Sequence, residues 1–207
     1  MKRNTPFDYD VVTSKIAESG LESLGKANIR EIVKIANQIE KATGEKYIRL
    51  EMGVPGLPVP EIATEAEIEA LRMGVAAQYP NIEGIRPLKE ETSRFLKLFL
   101  DIDVDPQGCV PTVGSMMGGM ITFLVANRND RTKEGTLFID PGFPVQKVQA
   151  KLLGHDYHSF DVYDYRGSRL REKLESYLKG GKISSILYSY PNNPSWICFT
   201  EEELEII

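Results

Sequence analysis

The chain has 207 residues, of which 42% are hydrophobic and 27% are charged, which is the composition of an ordinary globular protein able to form a core. Its 25 basic and 30 acidic residues give a net charge of -5, so no excess of positive charge predicts nucleic acid or a membrane as a partner. The sequence has no long apolar stretch and no secretory pattern behind Met1, and we expect a cytoplasmic protein. Two isolated cysteines, Cys109 and Cys198, do not form a disulfide or metal-binding pattern.

A helix is predicted near the start of the chain, over about 28–41. Apolar residues recur there at helical spacing, Asn28 and Glu31 form a capping-box pattern, and Gly44 ends the helix. The next residues, 47–50, are predicted to form a short strand.

Two more helices are predicted in the first half of the chain, at about 64–76 and 87–100. The segment 53–60 is too rich in Pro and Gly for regular structure, and 79–84 is a second turn-rich link.

The second half of the chain alternates between helical and strand patterns. Strands separated by helices indicate right-handed crossovers and a mainly parallel sheet with helices on both faces, which is an α/β fold. The predicted helices are 115–127, 144–153 and 168–179, and the predicted strands are 136–140, 156–162 and 183–190.

One candidate ligand-binding segment is 111–119, at the start of a predicted helix. In a doubly wound sheet, ligands collect beyond the carboxyl ends of the strands. The glycine turn at Gly114, the free N–H groups of the first helical turn and the Ser115 hydroxyl suit a phosphate. An alternative is that Ser115 is a plain N-cap, with Gly118 and Gly119 allowing close packing of the helix.

Two further candidate segments follow predicted strands. The turn 140–144 presents Phe143, whose ring could stack on a flat heteroaromatic cofactor or could pack into the core. In the segment 190–195, Asn side chains could donate hydrogen bonds to a ligand oxygen, although Asn before Pro is also common in turns. His155 and His158 are expected on opposite faces of a strand, so no metal site is predicted.

The three segments together resemble the pyridoxal 5′-phosphate (PLP) dependent aminotransferases of fold type I, class I/II, the group that includes aspartate aminotransferase. The resemblance extends from about 29 to 207 and is sharpest at Pro191-Asn192-Asn193-Pro194, which precedes the acidic segment 200–204. It implies amino-acid metabolism: the complete protein would transfer an amino group between an amino acid and a 2-oxo acid, with PLP as cofactor.

The resemblance assigns cofactor-binding roles to named residues. Asn193 corresponds to the asparagine that hydrogen-bonds the phenolic oxygen of PLP, and Phe143 to the aromatic residue that stacks on its pyridine ring. Ser115, Met116 and Met117 correspond to the residues whose backbone amides hold the cofactor phosphate, although the two methionines supply no hydroxyl group.

Two other residues have implied roles outside these segments. Tyr79 corresponds to the tyrosine that reaches the phosphate of a neighbouring subunit, which implies a homodimer, and Gly53 to the glycine whose loop meets the substrate carboxylate. Trp196 departs from the family pattern, since many relatives have glycine there; the indole is expected to change either the pocket wall or the turn.

The resemblance also suggests how the chain is organised. Residues 1–52 would form an N-terminal segment belonging to the small domain and arm, and 53–207 the PLP-binding large domain, truncated before the Schiff-base lysine. No catalytic residue is therefore assigned, and the chain alone is expected to be inactive. Lys147 and Lys151 are interpreted as solvent-facing and not as substitutes for that lysine.

The last residues of the chain also favour an incomplete protein. Thr200 and Glu203 form a capping-box pattern that begins a helix only a few residues before Ile207, so an incomplete chain is expected. Two alternatives stay open: a PLP-dependent lyase or racemase of the same fold, and a lysine-free module for ligand binding or assembly.

Overall fold

In the computed structural model, which describes residues 5–207, the chain forms two compact units that divide between Gln78 and Tyr79. The proposed domain boundary at 52/53 stays a prediction. None of the helices within 5–207 is long and apolar enough to cross a membrane.

The first unit is helical. Its α-helices are α1 (Tyr9–Glu18), α2 (Ile29–Thr43) and α3 (Glu61–Arg72). The capping box of α2 is confirmed: the Asn28 side chain accepts from the Glu31 N–H at 3.0 Å and the Glu31 carboxylate accepts from the Asn28 N–H at 2.8 Å.

The strand predicted at 47–50 is wrong. A strand requires a neighbouring strand, and the described part of the first unit contains none. The segment is held instead by Glu40, whose carboxylate accepts hydrogen bonds from the Tyr47 N–H at 2.9 Å and from the Arg49 guanidinium at 3.0 Å. These hydrogen bonds lower the pKa of Glu40 to about 2.

The second unit contains a three-stranded parallel sheet in the order β2-β1-β3 with helices on both faces, which confirms the predicted α/β class. The predicted alternation of elements is also confirmed. The elements are α4 (Arg86–Leu100), α5 (Gly114–Asn129), β1 (Gly135–Asp140), α6 (Val145–Leu152), β2 (Asp156–Asp161), α7 (Arg169–Leu178), β3 (Ile183–Leu187) and α8 (Glu201–Ile206).

The central strand β1 separates two apolar clusters. On one face, Leu137 and Ile139 pack with Leu170 and Leu174 of α7. On the other face, Phe138 packs with Phe123 of α5 and Ala150 of α6. Because both faces are covered, the carboxyl end of β1 is fixed between two helical layers.

Candidate cofactor site

A cavity of about 300 Å³ opens at the carboxyl ends of β1 and β3 in the second unit. The strands end at Asp140 and Leu187, and the loops that follow carry Phe143 and Asn193. Because α5 begins near the same edge, Ser115 also lies there. The other lining residues are Met116, Phe138, Ile139, Gly142, Gln146, Lys147, Tyr188 and Ser189.

The N-terminus of α5 leaves polar groups free at one end of this cavity. Val113 is the N-cap and makes no side-chain capping bond, so the alternative that Ser115 is the N-cap is wrong. Within residues 5–207, neither the Ser115 hydroxyl nor the N–H groups of Ser115 and Met116 have a hydrogen-bond partner. Gly114 supports this arrangement, because its φ of 74° suits the turn that leads into the helix. Free donors at the positive end of a helix dipole suit an anion.

Phe143 presents its ring at the turn between β1 and α6. The side chain is 43% exposed, and no aromatic ring in the described part of the chain stacks against it. The alternative that Phe143 is a core residue is therefore wrong, and the ring has an open face beside the cavity.

The two asparagines of the loop after β3 have different surroundings. The Asn192 side chain donates to the Pro141 carbonyl and accepts from the Ser195 N–H at 3.1 Å and from the Ser195 hydroxyl at 2.6 Å. The Asn193 N–H donates to Ser189 Oγ at 3.2 Å, but the Asn193 side-chain amide makes no hydrogen bond within residues 5–207. Asn192 therefore holds the loop, while Asn193 has an amide free for a ligand.

Trp196 lies in the loop after β3 but does not line the cavity. Its φ of 52° is in the left-handed region, which glycine adopts most easily. Its indole is 83% exposed and is absent from the lining residues. The indole is therefore not part of the cavity wall, and an effect of Trp196 on the turn stays a prediction.

An ion pair anchors the far end of the same loop. Glu203 at the start of α8 is 1% exposed and accepts two hydrogen bonds of 2.6 Å from the Arg166 guanidinium. The Arg166 guanidinium also donates to the Cys198 carbonyl at 3.0 Å. The Arg166 hydrogen bonds outweigh burial and hold the pKa of Glu203 at about 2. The predicted capping box of Thr200 and Glu203 is confirmed.

The prediction that Lys147 faces solvent is wrong. Its ammonium pairs with the Asp140 carboxylate, its side chain is 24% exposed, and it lies 5.7 Å from the ring centroids of Phe138 and Tyr157. Lys147 and its neighbour Gln146 both line the cavity, and neither was predicted there. Their positions in the first turn of a helix that follows a strand end were the available signal.

The remaining predicted residues are placed elsewhere. Met117 is 45% exposed and lies outside the cavity lining, although it belongs to the first turn of α5. Tyr79, the first residue of the second unit, has a fully exposed side chain. Gly53 belongs to the first unit, where a Cβ atom added to it would meet nothing within 4 Å.

The residues at this cavity fit PLP. A volume of about 300 Å³ is in the range of small-molecule sites. The free donors of Ser115 and Met116 suit the phosphate, the open face of Phe143 suits the pyridine ring, and the free Asn193 amide suits the phenolic oxygen. Among residues 5–207, no cluster of His, Cys, Asp or Glu could hold a metal ion.

Comparisons with known proteins support the same cofactor. Residues 45–207 match the family model described as aminotransferase class I and II. An LL-diaminopimelate aminotransferase from Natranaerobius thermophilus is 31% identical over 163 residues, which cover 76% of this chain and 40% of that protein. The aromatic-amino-acid aminotransferase 2 of Thermococcus litoralis is 31% identical over 192 residues, which cover 90% of this chain and 46% of the relative.

Solved structures show the same fold. An aminotransferase from Mycobacterium tuberculosis has a TM-score of 0.71 at 20% identity, covering 90% of this chain and 48% of that one. Alanine aminotransferase from Pyrococcus furiosus has a TM-score of 0.72 at 22% identity, with coverages of 86% and 45%. The chain thus spans less than half the length of these relatives. It belongs to the class I and II aminotransferase family, whose members use pyridoxal phosphate.

Proposed function

We propose that the complete protein containing this chain is a PLP-dependent aminotransferase that moves an amino group between an amino acid and a 2-oxo acid. The observation that carries the proposal is the cavity that brings Ser115, Met116, Phe143 and Asn193 together. When bound, PLP supplies an electron sink for the electron pair left at the α-carbon of the amino acid.

The residues of this chain bind and orient the cofactor. The backbone amides of Ser115, Met116 and Met117, with the Ser115 hydroxyl, hold the phosphate at the positive end of α5. Phe143 would stack on the pyridine ring, and the Asn193 amide would donate to the phenolic oxygen, so that the two residues together would orient the cofactor.

The substrates and the subunit partner are part of the same proposal. The substrates are an amino acid and a 2-oxo acid, and the loop that contains Gly53 meets the substrate carboxylate. The fully exposed Tyr79 side chain supports a homodimer in which it reaches the phosphate bound by the partner subunit.

PLP binding to the full chain tests the site directly. The chain has one tryptophan, Trp196, three residues from Asn193, so quenching of its fluorescence reports binding. We expect Phe143→Ala and Asn193→Ala each to weaken PLP binding about tenfold. Phe143→Ala removes the stacking ring, and Asn193→Ala removes one hydrogen bond. Phe99→Ala is the matched control, because Phe99 is an exposed aromatic residue on α4 and outside the cavity. Unchanged affinity in both site variants would contradict the proposal.

A labelling experiment tests the reaction. The complete protein, incubated with a ¹⁵N-labelled amino acid, PLP and a 2-oxo acid, is expected to place the label on the oxo-acid carbon skeleton. Labelled ammonia formed without an acceptor would support a lyase instead. PLP binding with neither product would support a binding module.

A further inference from the structure

Gln146 has a buried polar atom that no protein group satisfies. Its side-chain oxygen Oε1 is inaccessible to solvent and has no hydrogen-bond partner within residues 5–207. Gln146 is the second residue of α6, three positions after Phe143, and it lines the cavity. An unpaired buried acceptor destabilises a fold, because the oxygen loses its water and gains nothing in exchange.

The neighbouring polar side chains of α6 are already engaged. Lys147 directs its ammonium to the Asp140 carboxylate. Gln149 donates from its amide nitrogen to the Met116 carbonyl at 2.8 Å and thereby joins α6 to the first turn of α5, although its own Oε1 is also buried without a partner; unlike Gln146, it does not line the cavity. Gln146 has no such structural hydrogen bond, although a methionine or leucine would fill the same space without an unpaired acceptor.

We propose that Gln146 is a further ligand-contact residue, whose Oε1 accepts a hydrogen bond from a hydroxyl group or protonated nitrogen of the molecule held beside Phe143 and Asn193. This rests on the proposed function, because the molecule is PLP. An amide oxygen accepts a hydrogen bond from either group without adding charge beside the phosphate.

The proposal predicts opposite effects on folding and on binding. In Gln146→Met the unpaired acceptor is removed at nearly constant volume, so the denaturation midpoint of the full chain without ligand should stay the same or rise. The affinity for PLP, measured by Trp196 fluorescence, should fall about five- to tenfold, because the donor on the ligand loses its partner. Gln149→Met is the matched control on the same helix: it also removes an unpaired acceptor, but it loses the hydrogen bond to Met116 as well, so its midpoint should be lower than that of Gln146→Met.

Three other outcomes would overturn this inference. If Gln146→Met bound PLP as tightly as the native chain, this inference would be wrong while the proposed function stood. A lower midpoint for Gln146→Met would also overturn it, because the amide would then have a structural role. If the native chain itself bound no PLP, the proposed function and this inference would fail together.

Discussion

The side-chain amide of Asn192 donates a hydrogen bond to the carbonyl oxygen of Pro141, which fastens the loop after β3 to the turn after β1. These are the two loops that carry Asn193 and Phe143, so this hydrogen bond fixes the spacing between the proposed ring-stacking residue and the proposed hydrogen-bond donor. Asn192 thus acts on the site without lining the cavity.

Replacing Asn192 or Asn193 with alanine should therefore change the free energy of unfolding by different amounts. Asn192→Ala removes the hydrogen bonds to Pro141 and Ser195, and we expect the free energy of unfolding to fall by about 1–2 kcal/mol. Asn193→Ala removes an exposed amide without a partner, and the change should stay within about 0.5 kcal/mol. Denaturant unfolding followed by circular dichroism measures both values. Equal destabilisation by the two variants would show that Asn193 also supports the loop.

Gly135 is required by the close approach of two strands. A Cβ atom at this position would lie 1.8 Å from the backbone carbonyl oxygen of Asp156 on β2. Gly135→Ala must therefore push β1 and β2 apart, and we expect the free energy of unfolding to fall by at least about 2 kcal/mol.

A helical glycine provides the control for that substitution. In Gly119→Ala the new Cβ would be 3.6 Å from its nearest neighbour, the Gln149 side-chain oxygen, which is an ordinary contact. Alanine also favours the helix, so we expect a gain of about 0.5–1 kcal/mol. Thermal unfolding of the two variants, followed by circular dichroism, would contradict this interpretation if both changed stability in the same direction.

Most of the elements that were predicted correctly follow from local sequence signals. The capping boxes of α2 and α8 and the alternation of helices with strands depend on residues close together in the chain, and all were predicted. The strand at 47–50 was wrong because its conformation depends on Glu40, a contact that apolar spacing does not reveal. Helix α1 was missed, although its N-cap, Asp8, accepts hydrogen bonds from Asp10 and Val11 in a local pattern.

The residues that line the cavity also fall into a predicted group and a group that was missed. Ser115, Phe143 and Asn193 were predicted because each belongs to a short motif at a helix start or a strand end. Gln146 and Lys147 were missed because their direction depends on how α6 is rotated against the sheet. That rotation is set by packing of Phe138 and Ala150, which lie apart in the sequence.

Trp196 should store backbone strain that glycine would relieve. A side chain at a φ of 52° crowds its own backbone, and this costs roughly 1–2 kcal/mol compared with the right-handed conformation. Trp196→Gly removes both the strain and the exposed indole, whereas Trp196→Ala removes the indole and keeps most of the strain. We expect the glycine variant to be about 0.5–1 kcal/mol more stable than the alanine variant in thermal unfolding followed by circular dichroism. Equal stability would show that the loop relaxes to another conformation.

Glu203 should make the stability of the second unit sensitive to acid. The Arg166 guanidinium and two backbone N–H groups hold its pKa at about 2, below the ordinary value of 4.5. Because the pKa is lower in the folded state, the stabilisation is complete above pH 4.5 and is lost as the pH falls from there towards 2. The lost stabilisation should amount to about 2–3 kcal/mol.

The Glu203→Gln variant tests this dependence. It leaves the Arg166 guanidinium without its carboxylate, so the free energy of unfolding at neutral pH should fall by about 2–4 kcal/mol. Its stability should also change less than that of the native chain between pH 5 and pH 2, since the titrating carboxylate is gone. Glu202→Gln, at an exposed position of the same helix, is the control and should keep the native acid dependence. Urea unfolding at a series of pH values, followed by circular dichroism, measures both effects. An unchanged acid slope in Glu203→Gln would mean that another carboxylate determines the acid sensitivity.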